Sequence, residues 1–230
     1  MTGMLGPYIL GPNDTPENGI YTGDARELAQ AIPDESIDLI FSDPVYDQID
    51  DYQWLTEMAA KKLKVTGSLL VFQWAGFLRE TFMVVLSLAY EGLLALYIPN
   101  RTKDTRNKVG FNKWTPCLWM SRGQVKSPKA HDILRCNAFE PVFGDGSSNH
   151  PWSKSPEFFA YYITALKPEV ILDPFCGGGT VPAVCKMLGR KYLAFEIDPE
   201  VAEKARERVR NTNPPLFVLE PEQTSFLEAE

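Results

Sequence analysis

An α/β fold built on a mostly parallel sheet is the architecture that this sequence predicts, and three observations predict it. Short apolar runs bounded by turn residues, such as Ile37–Phe41 and Val170–Leu172, read as buried parallel strands. They alternate with longer segments of helical periodicity. Two of the runs end in turn-forming motifs dense in chemistry: Ser42-Asp43-Pro44-Val45-Tyr46 and Asp173-Pro174-Phe175-Cys176-Gly177-Gly178-Gly179-Thr180. In an open parallel sheet, the carboxyl ends of strands are where ligands bind.

Residues 1–18, rich in Gly, Pro, Asn and Asp, predict an irregular arm. Ile20–Thr22 then predicts a short strand, Ala25–Ala31 a helix, and Ile37–Phe41 a buried strand with the first motif at its carboxyl end. A helix runs through Trp54–Leu63, Gly67 breaks the chain, and Ser68–Gln73 is another buried strand. Phe77–Ala89 has the broad apolar face of a helix. Leu93–Ile98 and Trp114–Met120 predict an antiparallel pair finishing this half of the sheet. Alternation resumes with a helix at Pro156–Leu166, where Ser155 is placed to cap and Pro156 suits the first helical position. Val170–Leu172 is a strand, Thr180–Leu188 a helix, Lys191–Phe195 a strand ending at Glu196, and Asp198-Pro199 opens a helix to about Arg210. Asn213-Pro214-Pro215 stops it, and the tail to Glu230 is expected to be loosely held.

With 44% hydrophobic and 12% aromatic residues, a chain of 230 can bury a full core. The greasiest region, Leu69–Ile98, is interrupted by Arg79, Glu80 and Glu91, and no leader pattern precedes it, so no membrane span and a cytoplasmic location are expected. Cys117, Cys136, Cys176 and Cys185 show neither a C-x-x-C pair nor zinc-site spacing. Free thiols in a reducing compartment, and no metal, follow. The net charge of −7 argues against a polyanionic partner until its distribution is considered. Between Arg101 and Arg135 stand nine basic residues (Arg101, Lys103, Arg106, Lys108, Lys113, Arg122, Lys126, Lys129, Arg135) and only Asp104 and Asp132, whereas the remainder has 14 basic and 28 acidic residues. One surface for a polyanion on an acidic body is the expectation.

The late motif has the order strand, glycine turn, helix, strand, acid, with Glu196 nineteen positions after Gly177. This is the order of a nucleotide-binding βαβ half: glycines admit a ligand close to the backbone, and a carboxylate at the next strand's end can accept two ribose hydroxyls. The residues do not spell G-x-G-x-x-G, which weakens a dinucleotide reading. The early motif puts a carboxylate, a rigid proline and an aromatic ring within four residues. Those groups suit a planar base bearing an amino group. A carboxylate and a backbone carbonyl accepting both N–H groups of the amine would stabilise positive charge developing on nitrogen. An aromatic ring stacking on a flipped-out base offsets part of the unstacking cost.

Together the two motifs resemble the amino-directed DNA methyltransferases, in the permuted group whose amine-binding half precedes the cofactor half. The resemblance covers the chain outside the insertion. It implies a Rossmann-like, S-adenosylmethionine-dependent methyltransferase fold with a mostly parallel, seven-stranded sheet. Residues 1–99 and 150–230 would form the catalytic domain and residues 100–149 a small basic target-recognition insertion. By that resemblance Asp43, Pro44 and Tyr46 act on the target base. Asp24, Lys154, Asp173, Phe175, Gly177, Gly179 and Glu196 bind S-adenosylmethionine, Asp24 near its adenine and Lys154 at its carboxylate. Arg101, Lys103, Arg106, Lys108 and Lys113 bind DNA. His150-Pro151-Trp152-Ser153-Lys154 resembles the family's segment before the cofactor strand. Asp at the head of the four-residue motif resembles the adenine-N6 enzymes, and cytosine-N4 transfer or a non-catalytic DNA-binding subunit are the alternatives. An RNA or protein-glutamine methyltransferase would use a similar pocket. A homodimer and a cognate restriction endonuclease are partners that the resemblance allows. Two positions depart from the pattern: Val45 replaces a second proline, which should loosen the loop, and Ser155 follows Lys154 where proline is usual. Asp47, Asp50 and Asp51 would repel phosphate and are expected to face away from DNA.

Overall fold

The protein is described from a computed structural model covering residues 9–10, 19–99, 113–123, 125, 130–136 and 154–213. Strands β1 (Ile9–Leu10), β2 (Gly19–Thr22), β3 (Ile37–Ser42), β4 (Leu63–Phe72), β5 (Ala89–Tyr97), β6 (Trp114–Ser121), β7 (Ile133–Arg135), β8 (Val170–Asp173) and β9 (Lys191–Glu196) form one sheet, in the order β1-β2-β9-β8-β3-β4-β6-β5-β7. Among the described residues the α-helices are α1 (Ala25–Leu28), α2 (Ile49–Lys62), α3 (Leu78–Val84), α4 (Pro156–Leu166), α5 (Thr180–Met187) and α6 (Pro199–Asn211). The run from β2 to β4 is parallel throughout, and β6 turns antiparallel to both β4 and β5. The seven expected strands are the central seven. β1 and β7 extend the two edges, so the arm expected to be irregular contributes one short strand.

Alternation along the strands sorts the core into two layers. Leu39 and Phe41 of β3, with Leu70 and Phe72 of β4, pack against Phe158, Phe159 and Tyr162 of α4 and the apolar faces of α5 and α6. Ile37, Ile40, Leu69 and Val71 face the other way, onto Leu28 of α1 and Tyr52, Leu55, Met58 and Ala59 of α2. Buried Arg206 of α6 donates to the Ile20 carbonyl at 2.9 and 3.2 Å and to Thr22 Oγ1 at 2.7 Å, which fastens the last helix to β2.

Several boundaries differ from the sequence expectation for identifiable reasons. α2 starts at Ile49, five residues early, because Asp50 and Asp51 occupy its first turn, where acidic side chains favour the helix. Asp51 also pairs with Arg26 at 2.6 Å, which accounts for an acid in this place. Gly67 does not break the chain. It lies within β4, where a bulge lets Ile37 pair with Leu63 and Leu39 with Ser68. A Cβ there would come within 3.0 Å of the Lys64 carbonyl oxygen and 3.1 Å of that of Ile37, so the position needs a glycine for close approach. α3 stops at Val84, and Ala89 begins β5, which pairs with β6 from Ala89↔Ser121 to Tyr97↔Trp114; tertiary pairing overrides the helical pattern. Ser155 is the N-cap of α4, but its side chain makes no capping bond; Pro156 sits in the first turn as expected.

The basic residues do not share one face. Arg122, at the amino end of the parallel strands, donates to the Leu63 carbonyl and pairs with Glu35, both at 2.6 Å. Lys113 and Arg135 lie at the opposite, carboxyl edge beside Trp114 and Tyr97. Arg101, Lys103, Arg106, Lys108, Lys126 and Lys129 lie outside the described residues, as do His150–Ser153 and the tail beyond Asn213. Among the described residues no helix is long and apolar enough to cross a membrane.

Candidate active site

The order in which successive strands are added to the sheet reverses between β3 and β8. These strands are parallel neighbours, with Leu39 opposite Ile171 and Ile40 opposite Leu172. From β3 the chain passes through α2 on one face to β4; from β8 it passes through α5 on the other face to β9. The loops leaving the two strand ends therefore part, and a crevice opens between them. Both motifs of the sequence border it.

On the β3 side, Asp43 follows the last strand residue and both its oxygens are engaged. Tyr46 donates its hydroxyl to Oδ1 at 3.0 Å, and Lys154 donates from Nζ to Oδ2 at 2.6 Å. The lysine side chain is 12% exposed, and its ammonium lies 5.2 Å from the Tyr46 ring centroid and 5.3 Å from that of Phe72. Both distances are within cation–π range. Pro44 is buried, while Val45 is 64% exposed and its carbonyl accepts from the Gln48 N–H at 3.1 Å. The loop lacking a second proline is thus tied by a turn and by the Tyr46–Asp43 bond. The Lys154–Asp43 pair was missed in the sequence, 111 residues separating its members; only the parallel placement of α4 behind β3 and β4 brings them together.

On the β8 side, the Phe175 N–H donates to Asp173 Oδ1 at 3.2 Å, and the Phe175 ring meets Trp54 of α2 edge-on at 5.9 Å. Gly177 (φ 49°) donates its N–H to Glu196 Oε2 and Asp198 donates its N–H to Oε1, each at 3.0 Å. The carboxylate is fixed with further lone pairs left for a ligand. Gly23 donates to the Glu196 carbonyl at 2.9 Å, which sets Asp24 beside the same strand end. Asp24 caps α1, its Oδ1 accepting from the Arg26 N–H at 2.7 Å. The three glycines differ. A Cβ on Gly177 or Gly178 would meet nothing within 4 Å, whereas one on Gly179 (φ 73°) would lie 2.9 Å from the Ala205 Cβ. Two glycines border open space, and the third lets α5 pack against α6.

The crevice is acidic. Burial pushes the Asp173 carboxyl well above the ordinary carboxylate range; the Phe175 N–H opposes this, and the charges of Asp43 and Glu196 add to it. Burial likewise pushes the Cys176 thiol up, with Asp173 and Glu196 adding to it, so the thiol is kept from becoming a thiolate nucleophile. No cluster that could hold a metal occurs among the described residues. Lys113, the one described member of the expected DNA-binding set, is exposed on the carboxyl edge of the outer strands rather than in the crevice.

Two stability outcomes follow. Gly179→Ala combines a left-handed backbone with overpacking against Ala205 and should cost about 2–4 kcal/mol, read as a fall of roughly 5–10 °C in Tm by calorimetry. Asp173, whose folded pKa lies above its unfolded value, favours the folded state only in acid, and that contribution is lost as pH rises from about 4 through the folded pKa. Asp173→Asn should therefore raise Tm at neutral pH, and the gain should shrink below about pH 4; a gain independent of pH would refute this assignment.

Comparison with known proteins agrees with this geometry. The family model described as DNA methylase (N6_N4_Mtase) matches residues 92–207, half of the chain. Among curated proteins, the chain is 27% identical to the Type II methyltransferase M.HinfI of Haemophilus influenzae, over 86% of this chain and 69% of that protein. It is 28% identical to the Type II methyltransferase M.BamHI of Bacillus amyloliquefaciens, over 84% of this chain and 57% of that protein. Among solved structures, the complex of M1.HpyAVI with SAM superposes with a TM-score of 0.69 at 22% identity, covering 83% of this chain and 98% of that one. The cytosine-N4-specific PvuII DNA methyltransferase superposes at 0.74 and 18% identity, covering 87% and 89%. A sheet whose strand order reverses between two motif-bearing strands, a glycine turn fixed to an acid, and this family match lead to one conclusion: the chain belongs to the N6/N4 DNA methylase family.

Proposed function

We propose that this protein transfers a methyl group from S-adenosylmethionine to the 6-amino group of adenine in DNA, with the base flipped into the crevice beside Asp43. The observation that supports this best is the meeting of the two loops at the β3–β8 reversal. One offers a carboxylate and a ring, and the other offers open space over Gly177 and Gly178 next to a fixed Glu196. When bound, S-adenosylmethionine supplies an electrophilic methyl on a positively charged sulfur. Asp43 and Glu196 suit a cation, and they would repel the pyrophosphate of a dinucleotide. Glu196 would accept the ribose hydroxyls, Phe175 and Asp24 would flank the adenine end, and Gly177 would admit the ligand to the backbone.

On the base side, Asp43 and the Pro44 carbonyl would accept the two N–H groups of the target amine, and Tyr46 would stack on the base. The base amine is a weak nucleophile, so its gain comes from acceptors placed in advance where positive charge develops on nitrogen. Lys154 holds one Asp43 oxygen at 2.6 Å, which fixes the direction in which the carboxylate points. The carboxylate thus acts as an oriented acceptor. Of the basic stretch, Arg101, Lys103, Arg106, Lys108 and Lys113, which lie in sequence between β5 and β6, would grip the DNA, and a homodimer or a companion endonuclease are the further partners of this reading.

A second reading is cytosine-N4 transfer, which the same scaffold performs in the PvuII enzyme. The aspartate at position 43 favours adenine by resemblance, and both substrates present an amine to the same acceptors. Incubation with labelled S-adenosylmethionine and mixed-sequence DNA, followed by nucleoside analysis, decides between them. N6-methyladenine is expected; N4-methylcytosine would establish the second reading, and no labelled nucleoside would overturn methyl transfer to DNA.

A further inference from the structure

A hollow of about 220 Å³ lies on the α4 face of the sheet, toward the amino ends of β4 and β5 and away from the crevice; Glu91, Gly92, Trp119, His131, Asp132 and Tyr162 help to line it. A bulge shapes one wall. Ala89 and Tyr90 pair with Ser121 and Met120, but Gly92 pairs with Trp119, so Glu91 is an extra residue in β5. Such a bulge re-aims a side chain, and the Glu91 carboxylate accepts the Ser121 hydroxyl. Across from Gly92, the indole N–H of Trp119 donates to Ser68 Oγ at 3.0 Å, which fixes the ring. A Cβ on Gly92 would meet nothing within 4 Å, so the side chain that this position lacks leaves open space. The other wall is pinned to α4 and β5. The Tyr161 hydroxyl accepts the His131 N–H at 2.8 Å, the Tyr162 hydroxyl donates to the His131 carbonyl at 2.7 Å, and the Asp132 carbonyl accepts the Ala95 N–H at 2.7 Å.

A fixed indole, a missing side chain and a clamped backbone make a preformed cavity, and its charge says what it suits. No lysine or arginine lines it, and among the described residues neither Glu91 nor Asp132 pairs with a cation and no ring stacks on Trp119. Two carboxylates and an indole favour a cation with an apolar body, which gains from the ring as well as from the charges. Among the described residues no group of acids, histidines and cysteines could hold a metal ion, so an organic cation is the fitting ligand. Size narrows it further. At about 30 Å³ per water-sized group, the hollow has room for an aliphatic chain of about six heavy atoms. We propose that it binds the ammonium group of an aliphatic amine, free or at the end of a lysine side chain, with the methylenes against Trp119 and the charge on Glu91 and Asp132. The site shares no residue with the crevice, and the inference does not rest on the methyl-transfer reading.

The test measures binding of butylamine, of Nα-acetyl-lysine methylamide and of uncharged butanol to the wild-type protein and to Gly92→Val, Asp132→Asn and Trp119→Leu. Gly92→Val fills the hollow at a position where the added side chain starts in open space, so it should keep the wild-type Tm. Both amines should bind the wild type and butanol should not. Asp132→Asn should weaken amine binding about two- to fivefold, Trp119→Leu about three- to thirtyfold, and Gly92→Val should abolish it, all with unchanged affinity for S-adenosylmethionine. Tighter binding of butylamine assigns a free amine as the ligand; tighter binding of the lysine derivative assigns a side chain of a protein partner. Amine binding that all three variants keep in full overturns the site in favour of diffuse attraction to a chain of net charge −7. Butanol that binds as well as butylamine overturns the ammonium assignment, and wild-type protein that binds neither amine overturns the proposal outright.

Discussion

The pairing of β3 with β8 is the constraint on which the rest of the structure depends. It joins the first half of the chain to the second along two register positions, Leu39↔Ile171 and Ile40↔Leu172, and because the crossovers leave on opposite faces it separates the loops that follow. Residues at either side of the crevice are more than a hundred positions apart in sequence, yet their placement needs no long-range device beyond parallel hydrogen bonding and two buried helix layers. A slip of one residue in this register would send Phe41 and Ile40 to the wrong layers. It would also move Asp43 relative to the glycine turn. Fold and site therefore share one determinant.

Electrostatics then gives the crevice its character. Asp43, Asp173 and Glu196 border the crevice, and each carboxyl group is restrained by named donors: Tyr46 and Lys154, Phe175, and Gly177 with Asp198. Such restraint keeps acceptors in place before a ligand arrives, which is where the catalytic advantage of a preformed site resides. The Lys154–Asp43 pair is short and largely screened from water, and its lysine spans the rings of Tyr46 and Phe72. It connects the segment entering α4 to the loop leaving β3, so the acceptor geometry is coupled to the packing of α4.

Much of this was legible in the sequence, for physical reasons that individual residues make plain. Apolar runs such as Ile37–Phe41 and Val170–Leu172, short and bounded by turn residues, read as buried strands, and the nineteen-residue interval from Gly177 to Glu196 fits one βαβ half, which the bond between them closes. What the sequence concealed depended on tertiary context. Gly67 looked like a break, but two carbonyls crowd it within a strand. Residues 85–89 kept a helical pattern, but pairing with β6 recruits Ala89 to β5. Arg122 looked like a member of a basic surface until its bonds to Leu63 and Glu35 put it at the opposite end of the sheet. Gly179, expected among the cofactor-binding glycines, also lies so close to Ala205 of α6 that a side chain there would clash.

The central claim is that the two loops divide the work, the β8 side holding the cofactor and the β3 side acting on the amine. Titration calorimetry with S-adenosylmethionine, paired with single-turnover methyl transfer to DNA, tests it on Asp43→Ala and Glu196→Ala. The account predicts that Asp43→Ala keeps the cofactor and loses transfer, while Glu196→Ala binds the cofactor roughly ten- to a hundredfold more weakly, the loss expected for a charged hydrogen-bond acceptor. Transfer at the wild-type rate by Asp43→Ala, or unchanged cofactor affinity in Glu196→Ala, would contradict it.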